Sequence, residues 1–140
     1  MPFEAYPNCR FYVEIGGVPQ AVFTEVSGLE METEVVELEE GGNNGFVRRL
    51  PGRTKSSNLT LKRGLTRMNE LFKWYLQITR GQITKQNLTV TAYDVKGEQL
   101  SRWTFENAYP IKWTGPQLIS DGSAVAIEVL EIAHDGLSLE

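Results

Sequence analysis

Apolar and polar residues alternate with a period of two along most of the chain. Between Cys9 and Ile15, Phe11, Val13 and Ile15 fall on one side of an extended backbone, and Arg10, Tyr12 and Glu14 on the other. This is the pattern of a strand with one buried face. Gly16-Gly17 then offers a pair tolerant of positive φ, suited to a hairpin turn, before alternation resumes from Ala21 to Val26. Leu29 to Glu37 is sharply two-sided, with Leu29, Met31, Thr33 and Val35 opposite Glu30, Glu32 and Glu34. In Ser57 to Arg63, Leu59 and Leu61 face a core, while Asn58, Thr60 and Lys62 face away. Gln86 to Asp94 and Gln99 to Glu106 form a pair around Gly97, with Trp103 and Phe105 on a core face. Residues Asn107 to Pro116 carry two prolines, and Ala124 to Ala133 is a last, mostly apolar strand interrupted by Glu128 and Glu131.

Two segments leave this period. Residues 39–53 contain Gly41, Gly42, Asn43, Asn44 and Gly45 followed by Arg48, Arg49 and Arg53, a composition that predicts a protruding loop. At Met68 the spacing turns helical: Met68, Leu71, Phe72, Tyr75 and Thr79 make one stripe of a helix predicted over 66–80, with Thr66 as N-cap and Gly81 as C-cap. Many short strands and one helix predict a mainly β fold of two packed antiparallel sheets, a β-sandwich or partly closed barrel with the helix against it.

Composition narrows the functional classes. The 140 residues suit a single domain over 1–140. One cysteine permits no internal disulfide, which excludes the framework of a small disulfide-rich domain. A net charge of -4 argues against a dedicated nucleic-acid binder. No apolar run approaches the roughly 18 residues of a membrane span, and the first ten residues offer neither the basic nor the apolar region of a secretory signal, so none is expected.

Candidate chemistry is sparse. His134 is the sole base for a nucleophilic arrangement; its neighbour Asp135 is poorly placed to orient it, and no G-x-S-x-G elbow is present. A Cys9–His134 pair stays open, although a lone cysteine at a strand start is more often a packing residue. One His and one Cys are too few for zinc. Glu37, Glu39 and Glu40 are the densest carboxylate cluster but lack a calcium-loop pattern, and Gly41 to Gly45 lacks the Lys and Ser or Thr of a phosphate loop. No cofactor, metal or catalytic residue is therefore assigned. Trp74 stands off the helical stripe, at the core edge or against a neighbouring chain, and Trp74 or Trp113 could be the stacking platform of a ligand-binding β-sandwich. The row Glu30, Glu32, Glu34 is unexpected in a strand, since Glu is a poor strand former and adjacent like charges repel.

Taken in order, several segments resemble one family: Phe11 to Gly17, Glu25 to Glu30, Leu50-Pro51-Gly52, Asn58 to Gly64, Arg102-Trp103 to Asn107-Ala108 with Pro110, Lys112-Trp113 to Gly115-Pro116, and Ala126-Ile127-Glu128 to His134 through Leu137. The chain resembles the tail tube proteins of contractile phages and the inner tube proteins of contractile injection systems. The resemblance implies a non-enzymatic protomer of a hexameric ring, with rings stacked into a hollow tube whose strands join across subunits as a continuous lumen-lining β-barrel. It implies lumen-facing Glu30, Glu32, Glu34, Asn58, Thr60, Lys62, Thr89, Thr91, Thr104 and Glu106, on strands 29–39, 55–63, 86–94 and 99–106, making a mainly acidic bore. It further implies that Glu39, Glu40, Gly41, Gly42, Asn43, Asn44, Arg48, Arg49 and Arg53 contact a neighbouring subunit or ring. The implied partners are copies of the chain itself, sheath, baseplate and spike proteins, and DNA or protein cargo, without membrane binding. Assembly would take place in the cytoplasm, ending in a virion tail or a released or cell-anchored particle. A type VI secretion-like ring protein is the alternative within the same architecture.

Overall fold

The computed structural model describes residues 10–19, 23–39, 47–64, 69–117, 120 and 126–139. In chain order its elements are β1 (Arg10–Ile15), β2 (Val18–Pro19), β3 (Glu25–Ser27), β4 (Met31–Leu38), β5 (Arg48–Ser56), β6 (Leu59–Gly64), α1 (Glu70–Thr79), β7 (Gln86–Tyr93), β8 (Gln99–Thr114), β9 (Ile127–Ala133) and β10 (Gly136–Leu139). All pairings are antiparallel. The main sheet runs β2-β1-β7-β8-β9-β6-β3 with β10 also on β8, while β4 and β5 form a separate hairpin.

The first turn follows the sequence pattern: Ile15 pairs with Val18 across Gly16 and Gly17, whose φ values of 61° and 80° are open to glycine at little cost. At the β7–β8 turn the Asp94 carboxylate accepts from the amides of Lys96 and Glu98, each at 2.9 Å, and so holds the bend that Gly97 permits.

Strand β8 is longer than its sequence pattern suggests. The alternation of Gln99 to Glu106 was expected to stop at the proline-bearing segment, yet the strand continues to Thr114. Asn107 sits at φ 51°, where β8 carries an extra residue against β7, and the register slips again between Pro110 and Lys112. Bulges thus absorb the irregular residues and bend the strand. The first half of β8 pairs with β7 and β10, the second half with β9, so one strand serves two layers. Val13, Ile15, Leu88, Val90 and Phe105 from the first layer meet Leu59, Leu61, Leu130 and Ile132 from the second in one core. The last short strand, β10, has too few residues to show a period.

Helix α1 closes this core with Leu71 and Trp74. It is shorter than predicted, and the expected N-cap Thr66 lies outside the described residues; Asn69 takes that position without a side-chain cap. Its end is as expected: Gly81 has φ 80°, its amide reaches Ile78 O at 3.1 Å, and the Gln82 amide reaches Gln77 O at 2.9 Å. That pair of bonds satisfies carbonyls the helix would leave open. Trp74 is only 6% exposed, with Nε1 donating to Thr84 O at 3.1 Å, which places it in the core rather than at its edge.

Arg63, on the same parity as Leu59 and Leu61, is fully buried. Its guanidinium donates to Glu70 at 2.7 Å and to Glu128, its cross-strand partner, at 3.5 Å, and stacks over Phe23. The apparent interruption of β9 by Glu128 is thus the counter-charge of a buried arginine, and Glu70 fastens α1 to the same group.

Candidate assembly surfaces

The β4–β5 hairpin stands apart from the core. The predicted loop over 39–53 is partly strand: Arg48, Arg49 and Arg53 lie in β5, paired with β4, while Glu40, Gly41, Gly42, Asn43 and Asn44 lie outside the described residues and Glu39 is exposed just beyond β4. Cross-strand pairing outweighs the loop-like composition. Thr33 and Thr54 share a hydroxyl bond at 2.9 Å, Arg49 meets Glu37 at 3.6 Å and Lys55 meets Glu34 at 3.8 Å. Around Pro51 and Gly52 the register shifts between Thr33 and Val35, and a Cβ on Gly52 would lie 2.9 Å from Val36 Cγ2. Glycine there lets the strands close over a bulge.

Both broad faces of this hairpin are open. Directly opposite residues share a face, so Met31, Thr33, Val35 and Glu37 lie with Ser56, Thr54, Pro51 and Arg49, whereas Glu32, Val36 and Leu38 lie with Lys55, Leu50 and Arg48. Met31 is 53% exposed, Val35 58% and Val36 49%. The apolar side of β4 is therefore bare: no layer among the described residues covers it. The acidic row is real, but its second half turns apolar at Val36 and Leu38, and Lys55 sits among the glutamates.

The root of the hairpin is tied down. The Ser57 amide donates to Glu30 O at 3.2 Å and its hydroxyl to Glu30 Oε2 at 3.3 Å. His134 Nε2, 3.0 Å from Ser57 O, must carry the proton of that bond because a carbonyl only accepts. The imidazole packs edge-on against Phe105, with centroids 4.8 Å apart. His134 thus fastens the β9–β10 corner to the hairpin root through Ser57 O; Cys9 lies outside the described residues. Strand β10 passes beside β5 at this point.

The remaining residues expected in the lumen fall in two groups. Thr89 and Thr104 are cross-strand partners on the reverse of the first layer, together with Thr91 and Glu106; Thr91 is buried there. Asn58, Thr60 and Lys62 lie on the reverse of the second layer, where Asn58 donates to Glu131 at 3.2 Å and Lys62 pairs with Glu25 at 3.3 Å. Both layers turn their apolar faces to one core, so these two groups look outward on different sides of it.

Neither indole is a ligand platform. Trp74 is buried, and Trp113 packs on Phe72 with centroids 4.5 Å apart while its ring also fills the space a Cβ on Gly115 would need. Among the described residues, no group of three or more His, Cys, Asp or Glu is arranged to hold a metal ion. No helix among them is long and apolar enough to cross a membrane. Sequence reasoning missed Arg63 and Glu128, whose signal was their placement at core parity in β6 and β9.

Known structures place this geometry. The fold matches a chain of the PVC sheath-tube complex, an extracellular contractile injection system in its extended state, with TM-score 0.86, 28% identity, and coverage of 99% of this chain and 93% of the other. It matches a chain of the anti-feeding prophage tube-terminating cap with TM-score 0.86, 25% identity, and coverage of 98% and 91%. Hcp1 from Flavobacterium johnsoniae shares the fold at TM-score 0.65 and 16% identity, with coverage of 93% and 94%. No curated protein sequence matches. The model of the T4-like virus tail tube protein gp19 family matches residues 7–138, so the chain belongs to that family and is a structural tube subunit of contractile injection systems.

Proposed function

We propose that copies of this chain close into six-membered rings which stack head to tail into a hollow tube, a conduit with a structural and not a catalytic role. The observation that carries this is the β4–β5 hairpin, whose two faces are exposed and carry apolar side chains suited to cover by another chain. A heterologous contact of this kind generates rings and stacks. Contact with the neighbouring ring or subunit is assigned to Glu39, Arg48, Arg49 and Arg53 together with Glu40, Gly41, Gly42, Asn43 and Asn44. Exposed ion pairs such as Glu37–Arg49 contribute little individually and set register more than affinity.

The bore is formed by the reverse of the first layer together with the hairpin, which β10 places beside it. Thr89, Thr91, Thr104 and Glu106 continue on the hairpin into Glu30, Glu32 and Glu34; Asn58, Thr60 and Lys62, expected in the bore from the sequence, look out on the other side of the core and are left out of this wall. The wall is polar and weakly acidic, its glutamates partly balanced by Lys55. Such a lining repels the phosphate backbone of DNA and gives no general grip on a protein, so either cargo passes without adhering. Sheath and baseplate are the partners, as the sheath-tube setting of the matched chain supports; assembly in the cytoplasm precedes incorporation into the particle. The injection-particle setting is favoured over the type VI one because the likeness to Hcp1 is lower in both identity and superposition.

Negative-stain microscopy of the purified chain, alone and with baseplate, tests the proposal. Stacked rings are expected, and a monomer at every concentration and on every template would reject it. The triple change Glu30→Lys, Glu32→Lys and Glu34→Lys should leave tubes intact and alter cargo retention; unchanged loading and passage would remove these residues from the bore.

A further inference from the structure

Directly opposite residues of a sheet share a face, so the register fixes what stands on the reverse of the first layer beside its threonines. Tyr12 and Arg102 flank Thr91, and Arg10 stands opposite Tyr93. One row further on, Glu14 and Thr104 flank Thr89, and Glu106 lies beyond. The face is therefore zoned: cations and phenols lie toward the β7–β8 turn, carboxylates and hydroxyls toward the other end.

At the turn end this face is hollow. Arg10, Tyr12, Tyr93, Val95 and Lys96 line a cleft of about 350 Å³, in which the two phenol rings meet edge-on with centroids 5.4 Å apart. Tyr12 is 51% exposed and Val95 71%, so the walls are open to a ligand. Asp94 also lines the cleft, but it is buried and its Oδ1 already accepts from the amides of Lys96 and Glu98. Arg10 and Lys96 are exposed, and neither is ion-paired among the described residues. A carboxylate entering the cleft meets a guanidinium and an ammonium, while the phenol rings and Val95 cover an apolar side chain beside it. Glu14 and Glu106 on the same face, and the glutamates of the hairpin, repel that carboxylate and so concentrate it at the turn end. A nucleic acid carries a phosphate at every step and meets the repulsion along its whole length. A polypeptide spaces its acids, which favours it as the occupant.

We propose that the cleft formed by Arg10, Tyr12, Tyr93 and Lys96 binds an extended segment of a protein cargo in which acidic residues stand beside apolar or aromatic ones. It is a foothold for one kind of sequence on a wall that has no general grip. Its place inside the tube, and so the cargo as partner, rests on the bore reading; the chemistry of the cleft does not. A single open cleft holds weakly, and its repetition around each ring and along the tube retains a segment while letting it slide from one site to the next.

The test has two arms. In the first, a synthetic unstructured peptide with Glu at every third position and Phe or Leu beside it is titrated into the isotope-labelled full-length protomer, followed by amide shifts. Shifts should concentrate on residues 10–12 and 93–97 and weaken with salt. Affinity should fall about tenfold in the double variant Arg10→Glu, Lys96→Glu, and stay near wild type in Arg10→Lys, Lys96→Arg. Shifts elsewhere, no shifts, or indifference to charge reversal would overturn the site, as would tighter binding of a single-stranded oligonucleotide at the same residues. In the second arm, assembled tubes are sedimented with the same peptide carrying a fluorophore. Wild-type tubes should carry down about tenfold more peptide than tubes of the charge-reversed variant. Binding by the protomer but not by tubes would show that assembly covers the cleft and would overturn its place in the bore. A wild-type chain that forms no tube at all would sink the tube reading separately, leaving the first arm to judge the cleft.

Discussion

Arg63 and Glu128 face each other across β6 and β9 with neither side chain appreciably exposed, and Glu70 of α1 meets the same guanidinium. The charges join a helix to two strands inside an otherwise apolar core. Removing one partner leaves the other buried and uncompensated, so Arg63→Ala should cost about 3–5 kcal/mol. Replacing the whole cluster together, Arg63→Met with Glu128→Leu and Glu70→Leu, should cost far less. Urea denaturation of both variants separates the two cases; equal losses would show that the pair acts through packing alone.

The hairpin should tolerate changes that the assembly does not. Val36→Lys with Leu50→Lys alters cross-strand partners that are exposed in the protomer, so stability should stay within about 0.5 kcal/mol of wild type. Tube formation should be lost. Thermal melting and microscopy of the same preparation give the answer, and tubes in normal yield would show that these residues are not covered on assembly.

At Gly28 the φ of 95° and the nearness of the Asn58 carbonyl leave no room for a side chain, so Gly28→Ala should cost about 3 kcal/mol or more. Gly81 has φ 80° with open space around it, and Gly81→Ala should cost only about 1 kcal/mol. The comparison, read by denaturant midpoints, separates backbone strain from collision.

His134→Ala removes the bond to Ser57 O and the contact with Phe105, and should cost about 1–2 kcal/mol. Amide exchange at the hairpin root, around Glu30 and Ser57, should accelerate while the β7–β8 core stays protected. Uniform acceleration across the molecule would mean that His134 supports the core as a whole.

The alternating strands and the capped end of α1 were legible because one buried face per element imposes a period. Trp74 was misjudged because a helix wedged into the end of two layers buries more than its main stripe. Strand β5 was hidden because Gly41 to Gly45 and the arginines after them carry a loop-like composition, whereas pairing with β4 holds residues 48–56 extended and absorbs Pro51 and Gly52 in a bulge. Arg63 and Glu128 were opaque for a different reason: each looks misplaced alone and only pairing across strands far apart in sequence explains both. The glutamate row Glu30, Glu32, Glu34 was legible only as an oddity in a strand, and its proposed place in the bore rests on the family resemblance.

A folded molecule with an uncovered blade has a brief safe life on its own. Until neighbours arrive, Met31, Val35, Val36, Leu38 and Leu50 face water on an unshielded ribbon, the kind of surface that collects unwanted company. Timing therefore matters as much as shape: the cell does best to consume these molecules as quickly as ribosomes release them, and an idle stockpile would drift toward precipitate.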